Sequence, residues 1–182
     1  MGASRLSFAA EIGGNWVGSL ADQSVQRYGR SPTYGMGNFT PIPLSALGIP
    51  VPGNLACDAP FFPPPPLDAV IDPIVPNTNT VNCTNDGYVT DSSWGYRVRA
   101  SLAYNDAFAG INLTPSFAWS HDVDGYSPNS NFNEGAKALT VSLGAEYLNR
   151  YTGSLAYTAF SGGDYNTVKD RDFLSLSLSV SF

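Results

Sequence analysis

Along much of the chain, apolar and polar residues alternate one for one, the two-residue period of an extended strand with unlike faces. The clearest case is FLSLSLSVSF at 173–182, where Leu174, Leu176, Leu178, Val180 and Phe182 share one parity and Ser175, Ser177, Ser179 and Ser181 the other. The same reading predicts a strand over 5–20, with Leu6, Phe8, Ala10, Ile12 and Trp16 opposed to Ser7, Glu11 and Asn15. It predicts another over 94–104, where Trp94, Tyr96, Val98, Ala100, Leu102 and Tyr104 oppose Arg97, Arg99 and Ser101. Strands follow at 109–119, 138–147 and 151–159, making about six in all.

The segments between them differ in kind. Residues 21–92 lose the alternation and hold TPIPLSALGIPVPGN and FFPPPPLDAVIDPIVP. Proline lacks a ladder donor and breaks helices, so this is a long Pro-rich loop, partly polyproline-like, with a hidden hairpin near 28–39 left open as an alternative. A tight turn is expected at Asn105-Asp106, and a kink or bulge at Pro115. HDVDGYSPNSNFNEG (121–135) and SGGDYNTVKDRD (161–172) read as polar loops, and Leu148-Asn149-Arg150 as a short turn. No helix longer than a turn or two is expected.

Connections of alternating length, very long, short, medium, short, medium, are those of an outer-membrane barrel with short periplasmic turns and longer external loops. The fold class is therefore all-β: an antiparallel up-and-down transmembrane β-barrel segment in the bacterial outer membrane, spanning 1–182, with 21–92 a loop that is either extracellular or folded into the lumen. The apolar parity then faces lipid and the serine parity a wet interior. With the last strand ending on the periplasmic side, Trp16, Trp94 and Trp119 fall near the external rim, and Tyr104, Tyr147, Tyr151 and Phe182 near the inner one, as two aromatic girdles. Six strands are fewer than the eight of small single-chain barrels, and an open edge in lipid leaves backbone groups unpaired. The expectation is thus the C-terminal part of a larger barrel, with several copies completing one barrel as the alternative. MGASRLSFAAEIGG has no basic start before an apolar core, so it is not read as a signal peptide, which fits the fragment reading. Gly2 runs directly into a strand, against a lipid anchor.

Composition agrees without deciding. The chain is 43% hydrophobic, 13% aromatic and only 13% charged, where globular proteins average about 25% charged. Small polar residues fill the remainder, which suits a sheet between lipid and water but also a secreted sandwich. Net charge is −6 with the nine Lys and Arg scattered, so nucleic-acid binding has no electrostatic footprint. Cys57 and Cys83, both in the long loop, suggest a disulfide in an oxidising compartment, worth about 3 kcal/mol in the chain-entropy model; free thiols are the alternative.

Little of the sequence suggests catalysis. His121 beside Asp122 could serve a hydrolase, but HDVDG reads more simply as a solvated turn, and there is no nucleophile motif. Asp122, Asp124 and Glu134 raise a calcium alternative, with DVDG too short for a calcium-loop motif. No metal, cofactor or enzymatic activity is expected. Glu11, Arg97, Arg99 and Glu146 carry the polar parity, because mid-depth charges facing lipid cost about 2–4 kcal/mol each. As pore-lining charges they would set an electrostatic profile, unless they only pair with one another. The apolar content of the long loop (Phe61, Phe62, Ile71, Ile74, Val75) suits either a constriction stapled by Cys57–Cys83 or an external cap that binds a partner.

WGYRVRASLAYNDAFAGINLTPSFAWSHDVDGYSP and FNEGAKALTVSLGAEYLNRYTGSLAYTAFSGGDYNTVKDRDFLSLSLSVSF resemble the C-terminal end of the domain of unknown function 1302 family, proteobacterial outer-membrane proteins usually far longer than this chain. SHDVDGYSP, FNEGAKAL and GGDYNTVKDRDF are the most specific stretches. The resemblance implies a barrel of channel type, with hydrophobic compounds among its candidate cargo. Separately, the terminal Phe182 behind alternating apolar residues resembles the C-terminal recognition signal of bacterial outer-membrane proteins, an expected assembly signal. The family resemblance carries no catalytic residue. The expected function is a passive channel or uptake protein for small, including hydrophobic, molecules; the alternative is a structural or adhesive protein acting through its loops. The expected partners are outer-membrane lipid, the barrel assembly machinery through the C-terminal strand, and the rest of the barrel or other copies.

Overall fold

The computed structural model describes residues 2–35, 37–38, 42–43, 46, 54–55, 57 and 80–182. Phe61, Phe62, Ile71, Ile74 and Val75 lie outside the described residues. Among the described residues eight strands follow in order: β1 (Arg5–Trp16), β2 (Ile42–Pro43), β3 (Asn54–Leu55), β4 (Ser92–Phe108), β5 (Ile111–Asp124), β6 (Lys137–Tyr147), β7 (Tyr151–Ser161) and β8 (Phe173–Val180). The chain divides into two compact units, Met1–Ser19 with Thr90–Phe182, and Leu20–Val89.

The first unit is a six-stranded antiparallel meander in the order β1-β4-β5-β6-β7-β8. Its registers match like with like: Leu6↔Leu102 and Phe8↔Ala100, then Phe117↔Val141, Val141↔Tyr157 and Tyr157↔Leu174. A slip of one residue anywhere would put leucine opposite serine, so the alternation itself fixes the pairing. The sheet is not closed: β1 and β8 are its edges. Among the described residues, no helix is long and apolar enough to cross a membrane, which says nothing about strands.

Burial in this unit is inverted relative to a soluble domain. On the inner strands Thr158 is buried and Ser142 half-buried, whereas Val141 is 46% exposed, Leu143 45% and Leu155 46%. Nothing in the unit covers the apolar rows. Soluble monomers rarely expose a contiguous apolar patch beyond a few hundred Å², so a face of this extent requires another phase or partner.

Several boundaries differ from the sequence reading. β1 ends at Trp16 rather than residue 20, since Gly18 and the left-handed Ser19 (φ 60°) turn the chain. β4 runs past Asn105-Asp106 to Phe108, and the turn falls instead at Ala109 and Gly110, both with positive φ. That backbone matches the primed turns that suit the twist of two-residue hairpins. Asp106 lies in a bulge between Tyr104 and Phe108, where its carboxylate accepts the Gly110 N–H at 2.9 Å. Pro115 causes no bulge: Ser101↔Ser116 and Tyr104↔Leu113 keep one offset across it. β5 does not stop at Trp119 but includes His121 and Asp122, with its register shift between Trp94 and Gly95. The β5–β6 loop is therefore 125–136, shorter than the predicted one. The last strand ends at Val180, leaving Phe182 fully exposed beyond it.

The second unit is more structured than a plain loop. It contains the β2–β3 ladder and single 3-10 turns at Pro32–Tyr34 and Thr80–Asn82; among the described residues of 28–39 there is no hairpin. Cys57 and Cys83 form a disulfide with Cα atoms 5.9 Å apart. Arg30 organises the unit. Its guanidinium donates to the carbonyls of Tyr34, Gly35, Asn82, Thr84 and Asp86 at 3.0–3.2 Å and lies 4.4 Å from the centre of the Tyr88 ring. An always-charged planar fork can satisfy that many acceptors where a lysine cannot.

Candidate functional site: the polar face and its end loops

The face opposite the apolar rows is built from small hydroxylated residues. Ser7↔Ser101, Ser101↔Ser116 and Ser116↔Ser142 make a row across four strands. Hydroxyls bond across the ladders between Ser116 and Ser142 (2.6 Å), Thr140 and Thr158 (3.0 Å), and Ser154 and Ser177 (2.8 Å). Such pairs satisfy each other and still accept water, so the face is wettable without leaving buried polar groups alone.

The predicted charges share this face but not one environment. Glu11 stands directly opposite Arg97 in the β1–β4 register, and Arg99 opposite Ala9 and Ala118. Glu146 sits at the far end of β6 between Asn112 and Thr152. Arg97 is tied down: its Nη2 meets Asp122 Oδ1 at 2.7 Å, and its Nη1 donates to the carbonyls of Tyr96 (3.1 Å) and His121 (3.4 Å). Arg99 is exposed and, among the described residues, its side chain makes neither hydrogen bond nor ion pair. The arginines do not simply neutralise the predicted glutamates.

Asp122 is not in a solvated turn: it continues the even, polar parity of Asn112, Thr114, Ser116 and Ser120 along β5, and its pairing with Arg97 is what the sequence does not announce. Extending the strand past Trp119 would have put it on the same face as Arg97. Its second oxygen accepts the Asn133 N–H at 3.0 Å, so one carboxylate binds both a strand arginine and the β5–β6 loop. Beside it, Ser127 and Phe132 exchange backbone and hydroxyl hydrogen bonds, which fold the loop back on itself. Phe132 then lies over the polar face, 5.9 Å from the Arg97 guanidinium, against Gly13 of β1. A Cβ on Gly13 would come 3.3 Å from the ring tip, so glycine makes room for it.

His121 takes the odd parity and faces the apolar side, edge-on to Tyr96 at 5.6 Å and tilted to Trp119 at 6.5 Å. It points away from Asp122, so no His-Asp pair is assembled. Glu134 accepts the Gly125 N–H at 3.2 Å, and among the described residues no cluster of His, Cys, Asp and Glu is arranged to hold a metal ion. The β7–β8 loop (162–172) joins the β5–β6 loop: Asn133 Nδ2 donates to the Tyr165 carbonyl at 2.9 Å, and Tyr126 and Tyr165 meet edge-on at 5.9 Å. At the base of the β7–β8 loop, Asp172 accepts from the Phe160 N–H (2.8 Å) and the Tyr157 hydroxyl (2.7 Å), which hold its carboxyl below the usual aspartate range.

On the apolar face the tryptophans and several tyrosines lie toward opposite ends, while Phe8, Phe117 and Tyr157 share a middle row. Trp16, Trp94 and Trp119 belong to the end with the long connections, and Trp119 Nε1 donates to the Tyr96 hydroxyl at 3.3 Å. Tyr104 approaches the short β4–β5 turn, while Tyr147 and Tyr151 stack at 6.4 Å across the turn at 148–150. Arg150 lies 5.5 Å from the Tyr151 ring centre and 5.6 Å from that of Phe182. No curated protein and no solved structure matches the chain. The family description "Protein of unknown function (DUF1302)" matches residues 1–182, and the chain belongs to that family.

Proposed function

We propose that this sheet is part of an outer-membrane β-barrel working as a passive channel or uptake protein for small molecules, hydrophobic ones included. The observation that carries the reading is the partition of the sheet: uncovered leucine, valine and aromatic rows on one face, hydroxyls and charges on the other. Strands such as β6 and β7, of 11 residues each, suit a tilted crossing of the hydrocarbon. The Trp end and the Tyr end would lie at the two interfaces, where amphipathic rings are favoured. Edges β1 and β8 would be paired by further strands of the barrel or by other copies, since lipid offers their backbone groups no partner. β8 is also the strand through which the assembly machinery would engage the chain. Glu11, Arg99 and Glu146 would line the lumen, and Arg97 with Asp122 would hold its upper rim.

Liposome swelling with sized solutes, after outer-membrane fractionation, tests this reading. Size-dependent swelling supports the channel, and impermeable proteoliposomes overturn it. The mutual packing of the 125–136 and 162–172 loops favours a second reading, a firm external surface for adhesion. That reading predicts lost cell binding, with permeability unchanged, when Tyr126 and Tyr165 are replaced.

A further inference from the structure

The two neighbouring arginines of β4 hold the same parity and adjacent rows, about 7 Å apart along the strand, yet their surroundings differ completely. Arg97 has Asp122 bonded to it, Glu11 across the ladder, two backbone carbonyls in reach and the Phe132 ring above it. Its charge is compensated locally. Arg99 has alanines on both sides, Ala9 and Ala118, with Ser101, Ser7 and Ser116 in the next row; Glu11 is its diagonal neighbour and stands opposite Arg97.

From this difference we infer a division of labour, resting on the channel reading above: Arg99 is the charge that favours the passage of small anions, and Arg97 holds an aromatic constriction formed by Phe132. A guanidinium with no ion pair of its own, projecting from a hydroxyl-lined wall, offers five donors to a passing carboxylate or phosphate, and the Glu11 carboxylate diagonal to it offsets only part of its pull on anions. Arg97 contributes little to that field, because the Asp122 charge lies 2.7 Å away and cancels it at a distance. What the Arg97–Asp122 pair does is geometric. Asp122 grips the loop at the Asn133 N–H, Ser127 clamps the Phe132 backbone, and the ring is laid inward on Gly13. A loop folded over the water-facing side narrows the passage at the end where the long connections lie.

The test uses protein extracted from outer membranes and inserted into planar bilayers under a KCl gradient. Arg99→Gln should lower the chloride-to-potassium permeability ratio about two- to fivefold, the effect of one charge a few Å from the ion path at moderate salt. Arg99→Lys should keep the ratio. The charge-neutral pair Arg97→Gln/Asp122→Asn should leave the ratio unchanged and raise conductance, as should Phe132→Ala. An unchanged ratio in Arg99→Gln, or an equal shift in the neutral pair, overturns the assignment of Arg99. Unchanged conductance in Phe132→Ala overturns the constriction. A parent protein that inserts, shows heat-modifiable migration and does not conduct overturns the channel reading instead, and the inference falls with it.

Discussion

The apolar face can be tested by placing one charge at its centre. Leu155 of β7 pairs with Leu143 and Leu176 and is 46% exposed. It follows Tyr151 by four residues, about 13 Å along the strand, or about 10 Å of depth at a tilt near 40°. That is close to the middle of an apolar band about 25 Å tall. Leu155→Arg should therefore cost about 2–4 kcal/mol in lipid, and Tyr151→Arg, at the rim, about 0–1. Ser175→Arg, on the opposite face and paired with Ala156, should also stay near zero. The assay is reversible denaturant unfolding from phospholipid vesicles, with folded protein read from its heat-modifiable gel band. A face packed on protein would penalise arginine by local packing, with no ordering by depth. Equal costs at Leu155 and Tyr151, or a cost at Ser175 matching that at Leu155, would refute the reasoning.

Other consequences follow from particular contacts. Cys57→Ser/Cys83→Ser removes a cross-link spanning 26 residues and should destabilise the Leu20–Val89 unit by about 3.5 kcal/mol, read as earlier proteolysis of that unit. Arg30→Ala leaves five carbonyls without their shared donor and should cost the same unit about 2 kcal/mol or more, with Arg30→Lys recovering only part, by hydrogen exchange. Asp172, bonded to the Phe160 N–H and the Tyr157 hydroxyl, titrates below the usual aspartate range when folded. Its contribution is thus present above the unfolded pKa and lost as pH falls through the lower folded one. Protection of the Phe160 amide should fade over that acidic window in the parent and be low and pH-independent in Asp172→Asn.

Period-two alternation made the sheet legible because each strand has two unlike faces, and that same pattern sets the register. Boundaries were legible only where side chains change character. Asn105-Asp106 looks like a turn because Asx residues favour turns, but Ala109-Gly110 takes the positive φ while Asp106 supports it from a bulge. Pro115 removes one donor, and two flanking ladders with unchanged offset absorb the loss. HDVD reads as solvent-loving, yet its parity continues β5 and delivers Asp122 to Arg97. The packing of Phe132 on Gly13 joins residues far apart in sequence, and Arg30 in its carbonyl cage gathers acceptors from both ends of its unit. No local pattern marks contacts of that kind.

The most direct measurement is a single-site spin-label scan of β8 in bilayers, which is convenient because the cysteines at 57 and 83 are already paired. Labels at residues 174, 176 and 178 should collide with lipid-dissolved oxygen and be shielded from a water-soluble nickel reagent. Labels at 175, 177 and 179 should show the reverse. Nickel reaching both parities alike, or leucine positions closed to oxygen, would contradict the account.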